Sequence, residues 1–197
     1  IFPGQGAQTA GMGKDFYENS EAARSFFDQA QKILDFDLKE MCFGEHEELN
    51  LTEYTQPCMV SVCLAIVQEL KKRGINPDIT AGLSLGEYAA VAAAGGMNEL
   101  DAIKLVRRRG ILMQSTVPAG EGAMAAVLGL DAKKIEEILE SFENVWIANY
   151  NCPGQIVITG LTNEVQQASL ALKEAGAKRV VELKVSGPFH SQLLKPA

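Results

Sequence analysis

The sequence contains few of the residues that bind metals or form disulfides. It has two histidines and four cysteines in 197 residues, and no two cysteines are spaced as a CxxC pair. A zinc site would need such spacing or a histidine cluster, and a disulfide framework would need a denser set of cysteines. We therefore expect no metal site, and we interpret the cysteines as buried free thiols in a reducing cytosol.

Basic residues are also scarce relative to acidic ones. Lysine and arginine number 18 against 25 aspartates and glutamates, which gives a net charge of −7. Phosphate binding needs clustered basic residues, so nucleic acid is excluded as an expected partner. No uninterrupted apolar run is long enough to cross a membrane, and no signal-peptide pattern opens the chain. These absences predict a cytoplasmic protein with no membrane partner.

The composition is otherwise that of a globular protein, with 47 % hydrophobic and 22 % charged residues. The chain opens at Ile1 without an initiator methionine and stops at Ala197 without a C-terminal cap. We therefore expect a chain that is truncated at both ends.

The order of predicted helices and strands divides the chain in two. The first part predicts a Gly-rich loop after Phe2, a strand over 78–83 and helices over 20–34, 55–74, 86–94 and 98–115. The second part predicts strands over 123–130, 145–151, 155–160 and 179–185 and helices over 131–141 and 163–175. This βαββαβ order is ferredoxin-like. We predict an α/β large domain of residues 1–118 and 187–197, with a ferredoxin-like subdomain of residues 119–186 inserted into it.

Local signals mark the ends of several of these helices. The predicted N-caps are Ser20, Asn98, Asp131 and Asn163, which have side-chain oxygens that can accept a first-turn amide. Pro57 is expected within the first turn of its helix, where its missing N–H costs nothing.

The segment Gly82-Leu83-Ser84-Leu85-Gly86 is a GxSxG sequence at a predicted strand-to-helix junction. Its two glycines permit a tight turn that exposes the serine hydroxyl at a helix N-terminus. There the helix dipole and the amide of Leu85 could stabilise an oxyanion. A glycine-flanked turn with an incidental serine would give the same five letters.

A serine nucleophile needs a base, and the chain offers two histidines. His46 lies in an acidic loop and is interpreted as a solvated surface residue. His190 follows Phe189 in a loop after the last predicted strand, and it is the better candidate because the only other histidine is set aside. A histidine in a loop is nevertheless often inert.

Arg109 falls on a predicted apolar stripe of its helix, formed by Ala102, Leu105, Val106 and Met113. Burying an arginine without an anion is costly. The anion could be a core carboxylate such as Glu87, or it could arrive with a substrate and be gripped by the guanidinium fork. Arg107 and Arg108 are expected to be solvated. The side chain of Gln5, in a Gly-rich turn, could donate to an oxyanion or cap its own loop.

Several segments together resemble the malonyl-CoA:acyl carrier protein transacylase family, which includes the acyltransferase domains of fatty acid and polyketide synthases. The segments that carry the resemblance are Phe2–Gly6, Thr55–Pro57, Gly82–Tyr88, Arg109–Gly110, Asn149–Asn151 and Phe189–Ser191. The resemblance implies an α/β-hydrolase-like large domain that carries the ferredoxin-like insert. It further implies malonyl transfer from malonyl-CoA to acyl carrier protein in fatty acid biosynthesis, with no tightly bound cofactor and the coenzyme A thioester as substrate.

The resemblance also implies a role for each site residue. Ser84 matches the nucleophile and His190 its base, while Gln5 and the amide of Leu85 match the oxyanion hole. Arg109 matches the arginine that binds the malonyl carboxylate, and Phe189 resembles the residue of malonyl-selecting members. Leu83 departs from the histidine of many members, at a position that is not the base.

Two alternatives stay open. A serine thioesterase or esterase of the α/β-hydrolase type shares the Ser-His pair, but it needs neither an arginine in the acyl pocket nor the inserted subdomain. A non-catalytic module that docks the acidic carrier protein would need a basic patch. Its candidate residues are Arg107, Arg108, Lys178, Arg179, Lys184 and Lys195.

Overall fold

The computed structural model describes residues 1–118, 120–183, 185 and 187–197. The predicted subdomain boundaries at residues 119 and 186, and the candidate docking residue Lys184, lie outside the described residues. The chain forms two units, Ile1–Ile111 and Leu112–Ala197. It is a mixed α/β protein with a four-stranded antiparallel sheet. Every helix of the described residues is too short or too polar to cross a bilayer.

The first unit is built from helices. They are α1 (Lys14–Asn19), α2 (Glu21–Gln31), α3 (Leu38–Phe43), a 3-10 turn (Glu47–Asn50), α4 (Thr52–Lys72), α5 (Leu85–Ala93) and α6 (Glu99–Thr116), which continues past the unit boundary. Two predicted caps are confirmed. The Ser20 hydroxyl accepts from the Ala23 amide, and the Asn98 side chain accepts from the amide of Leu100. The core packs α4 against α2 and α5 through residues such as Phe27 and Leu64.

Helix α4 begins one turn earlier than predicted, so Pro57 lies inside the helix and not in its first turn. A proline there cannot donate to the carbonyl four residues before it, which is that of Glu53. The Glu53 carbonyl instead accepts a hydrogen bond of 2.8 Å from Nη1 of Arg107 on α6. A side chain from another helix therefore replaces the backbone bond that the proline removes.

The predicted strand over 78–83 is wrong in extent. Within the described chain, the segment forms a single parallel bridge between Phe2 and Gly82. The Phe2 amide donates to the Ala81 carbonyl, and the Leu83 amide donates to the Phe2 carbonyl. A strand is defined by its partner, and here the partner pairs at one residue only.

The second unit contains the sheet. Its elements are β1 (Gly122–Leu128), α7 (Ala132–Leu139), β2 (Val145–Cys152), β3 (Gln155–Leu161), α8 (Thr162–Glu174) and β4 (Arg179–Glu182), followed by a 3-10 turn (Gln192–Leu194). The strand order is β2-β3-β1-β4, and every neighbouring pair is antiparallel. The Asp131 cap is confirmed. The predicted cap at Asn163 is wrong, because α8 begins at Thr162 and Leu161 occupies the cap position.

Strand β1 is buried on both faces. Ala123, Ala125 and Val127 pack with residues of α7 and α8. Met124 and Ala126 point to the opposite face, as the two-residue period of a strand requires, and pack in a second cluster with Phe189. The loop that carries Phe189 therefore packs on the face of the sheet opposite the two helices.

Candidate active site

The backbone at Ser84 is strained. The residue has φ 51° and ψ −99° at the N-cap position of α5, a conformation that L-residues rarely adopt. Among the described residues, His190 is the other non-glycine with positive φ, at 59°. Such strain costs about 1–3 kcal/mol per residue and tends to occur at functional sites. The two residues predicted from sequence as nucleophile and base are thus the two with this strain.

The glycines of the GxSxG segment are required by close backbone approaches. A Cβ at Gly82 would overlap the carbonyl group of Gly86, and a Cβ at Gly86 would overlap the carbonyl oxygen of Phe2. At Gly4 an added Cβ would lie 2.9 Å from the carbonyl oxygen of Leu83. The loop after Phe2 therefore lies directly against the turn at Ser84, where larger residues could not fit.

The amide of Leu85 begins α5 and has no carbonyl within the helix to bond. The next two amides are engaged, because Gly86 donates to the Leu83 carbonyl and Glu87 donates to the Ser84 carbonyl. The Leu85 side chain is buried in the core of the first unit and anchors this turn. An amide at a helix N-terminus beside a serine hydroxyl is suited to stabilise an oxyanion.

The side chain of Gln5 is tied to the start of α4. Its Nε2 donates to Oγ1 of Thr52 at 3.1 Å. The neighbouring Gln8 accepts from the Gly6 amide and donates to Asn50. The side-chain amide of Gln5 thus anchors its loop, and an oxyanion would be bound by the second N–H of that side chain or by the backbone amide.

Arg109 stacks on an aromatic ring. Its guanidinium carbon lies 5.4 Å from the ring centroid of Tyr88 on α5. Tyr88 lies in the first turn of α5, the helix that follows the strained Ser84. Gly110 allows the backbone of α6 to approach α4, since a Cβ there would lie 2.8 Å from Thr52 O and Glu53 Cα.

The structure does not favour the ion pair considered between Arg109 and Glu87. Glu87 is exposed, and within the described chain no carboxylate lies within ion-pair distance of Arg109. The predicted apolar stripe also needs correction, because Leu105 is 47 % exposed while Ile103 is fully buried. The buried face is rotated away from Leu105, and Arg109 is half-buried at its edge.

Arg107 was expected to be solvated, and this expectation is wrong. Its side chain is 13 % exposed and binds both carboxylate oxygens of Asp35 at 2.9 Å and the Glu53 carboxylate at 3.0 Å. The rings of Phe36 and Tyr54 lie 5.2 and 5.0 Å from its guanidinium carbon. The hydrogen bond from Arg107 holds the pKa of Asp35 below its ordinary value. Arg107 is therefore removed from the candidate docking patch, whereas Arg108 is exposed as predicted.

His190 and Phe189 belong to the second unit. Their loop is fixed to the start of β1, because a Cβ at Gly122 would overlap the ring of Pro188, and Ser191 Oγ donates to the Pro188 carbonyl. His190 is exposed. Phe189 is 6 % exposed, within a cluster that includes Met113 and Met124, so its bulk also belongs to the core of this unit.

The other histidine is only partly as expected. His46 is half-buried and its Nε2 lies 3.0 Å from a carboxylate oxygen of Glu40, so it is paired and not simply solvated.

The cysteines also differ in part from the expectation of buried thiols. All four are free, with Cys42 and Cys58 buried, Cys63 half-buried and Cys152 exposed.

Sequence reasoning assigned no role to Thr52, Tyr88 or Gly110. Tyr88 had a signal in the sequence, namely its position one helical turn after the candidate nucleophile. Thr52 had none, because its contact with Gln5 joins residues 47 positions apart.

No group of three or more metal-binding side chains occurs among the described residues. The first unit also contains an apolar cavity of about 450 Å³, lined by residues such as Met59, Val62 and Ile66 of α4. None of the candidate site residues lines it.

Comparisons with known proteins agree with the resemblance seen in the sequence. The malonyl CoA-acyl carrier protein transacylase of Bacillus subtilis (strain 168) is 50 % identical over 202 residues, which cover 100 % of this chain and 64 % of that protein. The crystal structure of the transacylase from Clostridium perfringens superimposes with a TM-score of 0.94 at 43 % identity, covering 99 % of this chain and 63 % of that one. A malonyl-transacylase in complex with a type II PKS acyl-carrier protein gives a TM-score of 0.94 at 41 % identity, covering 99 % and 65 %.

The present chain thus spans about 64 % of the length of the curated relatives that it matches. The family model described as acyl transferase domain matches residues 1–197, the whole of the sequence. The chain belongs to the acyl transferase domain family.

Proposed function

We propose that the protein containing this chain transfers a malonyl group from malonyl-CoA to the phosphopantetheine thiol of acyl carrier protein, through an ester on Ser84, in fatty acid biosynthesis. The observation that carries the proposal is the position of Arg109. It stacks on Tyr88, one helical turn after the strained Ser84, and has no carboxylate partner among the described residues. A relative that is 50 % identical is named a malonyl CoA-acyl carrier protein transacylase.

In the first half-reaction His190 takes the proton of the Ser84 hydroxyl, and the serine oxygen attacks the carbonyl carbon of the malonyl thioester. The oxyanion that forms is stabilised by the Leu85 amide and by an N–H of Gln5. The carbon–sulfur bond then breaks, and coenzyme A leaves as a thiol with the proton that His190 carried. A malonyl-serine ester remains.

In the second half-reaction the thiol of the carrier protein attacks that ester. His190 takes the thiol proton and returns it to the serine oxygen as the ester bond breaks. The malonyl group is thereby transferred with no change in the enzyme, which is ping-pong covalent catalysis. The transfer reaction needs no tightly bound cofactor, since the coenzyme A thioester is itself the activated substrate.

Arg109 gives the reaction its acyl selectivity. A malonyl group differs from an acetyl group by a carboxylate, which the planar guanidinium can bind with two parallel hydrogen bonds. A thioesterase of the α/β-hydrolase type would have no use for such a charge. A non-catalytic docking module would have no use for the strained serine.

The finer description of the fold belongs to the same proposal. We assign residues 1–118 and 187–197 to an α/β-hydrolase-like large domain and residues 119–186 to a ferredoxin-like subdomain inserted in it. The strand order β2-β3-β1-β4 and the βαββαβ order of elements support the second assignment. The four free cysteines support a cytoplasmic location.

The test is acylation of the full-length protein by malonyl-CoA alone, followed by mass spectrometry. We expect a malonyl adduct on Ser84 that persists in water and is discharged by acyl carrier protein. Ser84→Ala should abolish the adduct and His190→Ala should slow its formation. Rapid release of coenzyme A with no lasting adduct would mean a thioesterase, and absence of both would mean a docking module.

A further inference from the structure

Among hydrogen bonds, ion pairs and ring contacts within the described residues, the ring of Tyr88 is the one partner of the Arg109 guanidinium. Arginine has a long side chain with several rotatable bonds, and holding it in one geometry has an entropic cost. A partner that fixes the guanidinium before substrate arrives reduces the cost of binding. The aromatic ring is placed to do this.

A ring is a suitable partner for an arginine that must bind an anion. The ring face attracts the guanidinium through its quadrupole, without using any of the five N–H donors. A carboxylate in the same place would bind those donors and neutralise the charge. Stacking therefore orients the guanidinium and leaves its edge available for a carboxylate.

The ring is itself held in place by the fold. Tyr88 is half-buried and packs against the hydrophobic core of the first unit, on a helix that begins directly after the strained Ser84. No hydrogen bond of its hydroxyl is present within the described part of the chain. Tyr88 thus interacts with Arg109 through its aromatic face and not through its hydroxyl.

We propose that Tyr88 is a positioning residue for Arg109, which orients the guanidinium for a carboxylate-bearing acyl group and so helps to select malonyl over acetyl. The inference rests on the proposed function. Because Tyr88 acts through Arg109, its removal should weaken reaction with a carboxylated donor and leave reaction with an uncarboxylated donor unchanged.

The experiment measures acylation of Ser84 by malonyl-CoA and by acetyl-CoA in single turnovers with full-length protein. A cation–π contact of this kind corresponds to roughly a tenfold change in an equilibrium constant. We expect Tyr88→Leu to raise the half-saturating malonyl-CoA concentration roughly tenfold, with the maximal rate and the acetyl-CoA reaction little changed. Tyr88→Phe keeps the ring and should restore wild-type values.

Tyr54→Leu is a matched control, since Tyr54 stacks on Arg107 at a similar distance of 5.0 Å. It should leave the malonyl-to-acetyl ratio unchanged. If Tyr88→Leu is unstable, Tyr88→Met replaces it in the same measurement, because methionine fills the volume of the side chain without a ring.

Two results would overturn the inference about Tyr88: a folded Tyr88→Leu or Tyr88→Met that keeps the wild-type ratio, or a Tyr88→Phe that loses it. If the wild-type protein forms no malonyl-Ser84 at all, the proposed function itself fails, and the two failures are thereby distinguished.

Discussion

Arg107 and Arg109 lie two positions apart on α6, yet the chain surrounds them differently. Arg107 is enclosed by the carboxylates of Asp35 and Glu53 and by two aromatic rings. Arg109 has one ring, that of Tyr88, and no carboxylate among the residues described. The comparison separates an arginine whose anions are part of the fold from one whose anion, on the proposed function, arrives with the substrate.

The largest expected effect is on activity at Arg109. On the proposed function, Arg109→Ala removes two charge-assisted hydrogen bonds to the malonyl carboxylate, each worth roughly 1.5–3 kcal/mol. We therefore expect kcat/KM for malonyl transfer to fall by about 10²–10⁴-fold, while acetyl transfer is maintained or gained. Arg109→Lys should not restore malonyl transfer fully, because an ammonium lacks the planar fork.

Thermal denaturation gives the control for Arg109. The arginine binds no carboxylate of the described chain, so Tm should stay close to that of the wild type. A large loss of stability in Arg109→Ala would mean that the residue is structural, and the contrast with Arg107 would be lost.

The second effect is on stability at Arg107. Arg107→Ala removes charge-assisted hydrogen bonds to Asp35 and Glu53, but Asp35 is 67 % exposed and remains solvated without the arginine. We expect the free energy of unfolding to fall by about 2 kcal/mol in denaturant titrations. The ratio of malonyl to acetyl transfer should not change in the protein that remains folded. A changed ratio would show that the two arginines are not separate in function.

The smallest effect is a pH dependence at Asp35. Its pKa is lowered in the folded protein, chiefly by the hydrogen bond from Arg107. A lowered folded pKa contributes stability that is present above the unfolded pKa, near 3.8, and is lost as pH falls through the folded value. Asp35→Asn should remove this part of the acid sensitivity, so that the two proteins approach each other in stability as pH falls below about 4. Parallel pH curves for both proteins would contradict the assignment.

Much of the fold could be predicted from local signals. The order of the elements after residue 118 follows from hydrophobic periodicity, and the caps at Ser20, Asn98 and Asp131 follow from a side-chain oxygen next to a helical pattern. The turn at Ser84 was predictable because its glycines are dictated by contacts within a few residues and with the loop after Phe2.

What sequence could not supply were contacts between distant segments. The Glu53 carbonyl, which Pro57 leaves without a backbone donor, is bound by Arg107, 54 positions away, and the local sequence around Pro57 carries no sign of that contact. The partners of Arg107 lie up to 72 positions away. Helical periodicity gives the spacing of an apolar face but not its rotation, which is why Leu105 was assigned to the core and Arg107 to solvent. The roles of Ser84, His190, Gln5, Leu85, Arg109 and Phe189 remain predictions.

The bond from Arg107 to the Glu53 carbonyl has a consequence for how this chain can change by mutation. While Pro57 is present, loss of the arginine leaves that carbonyl without its donor. After Pro57→Ala the backbone amide at position 57 supplies the missing bond, and the same loss of arginine becomes less harmful. The two sites are therefore epistatic, and a lineage that gives up the proline first can give up the arginine more readily than one that takes the steps in reverse.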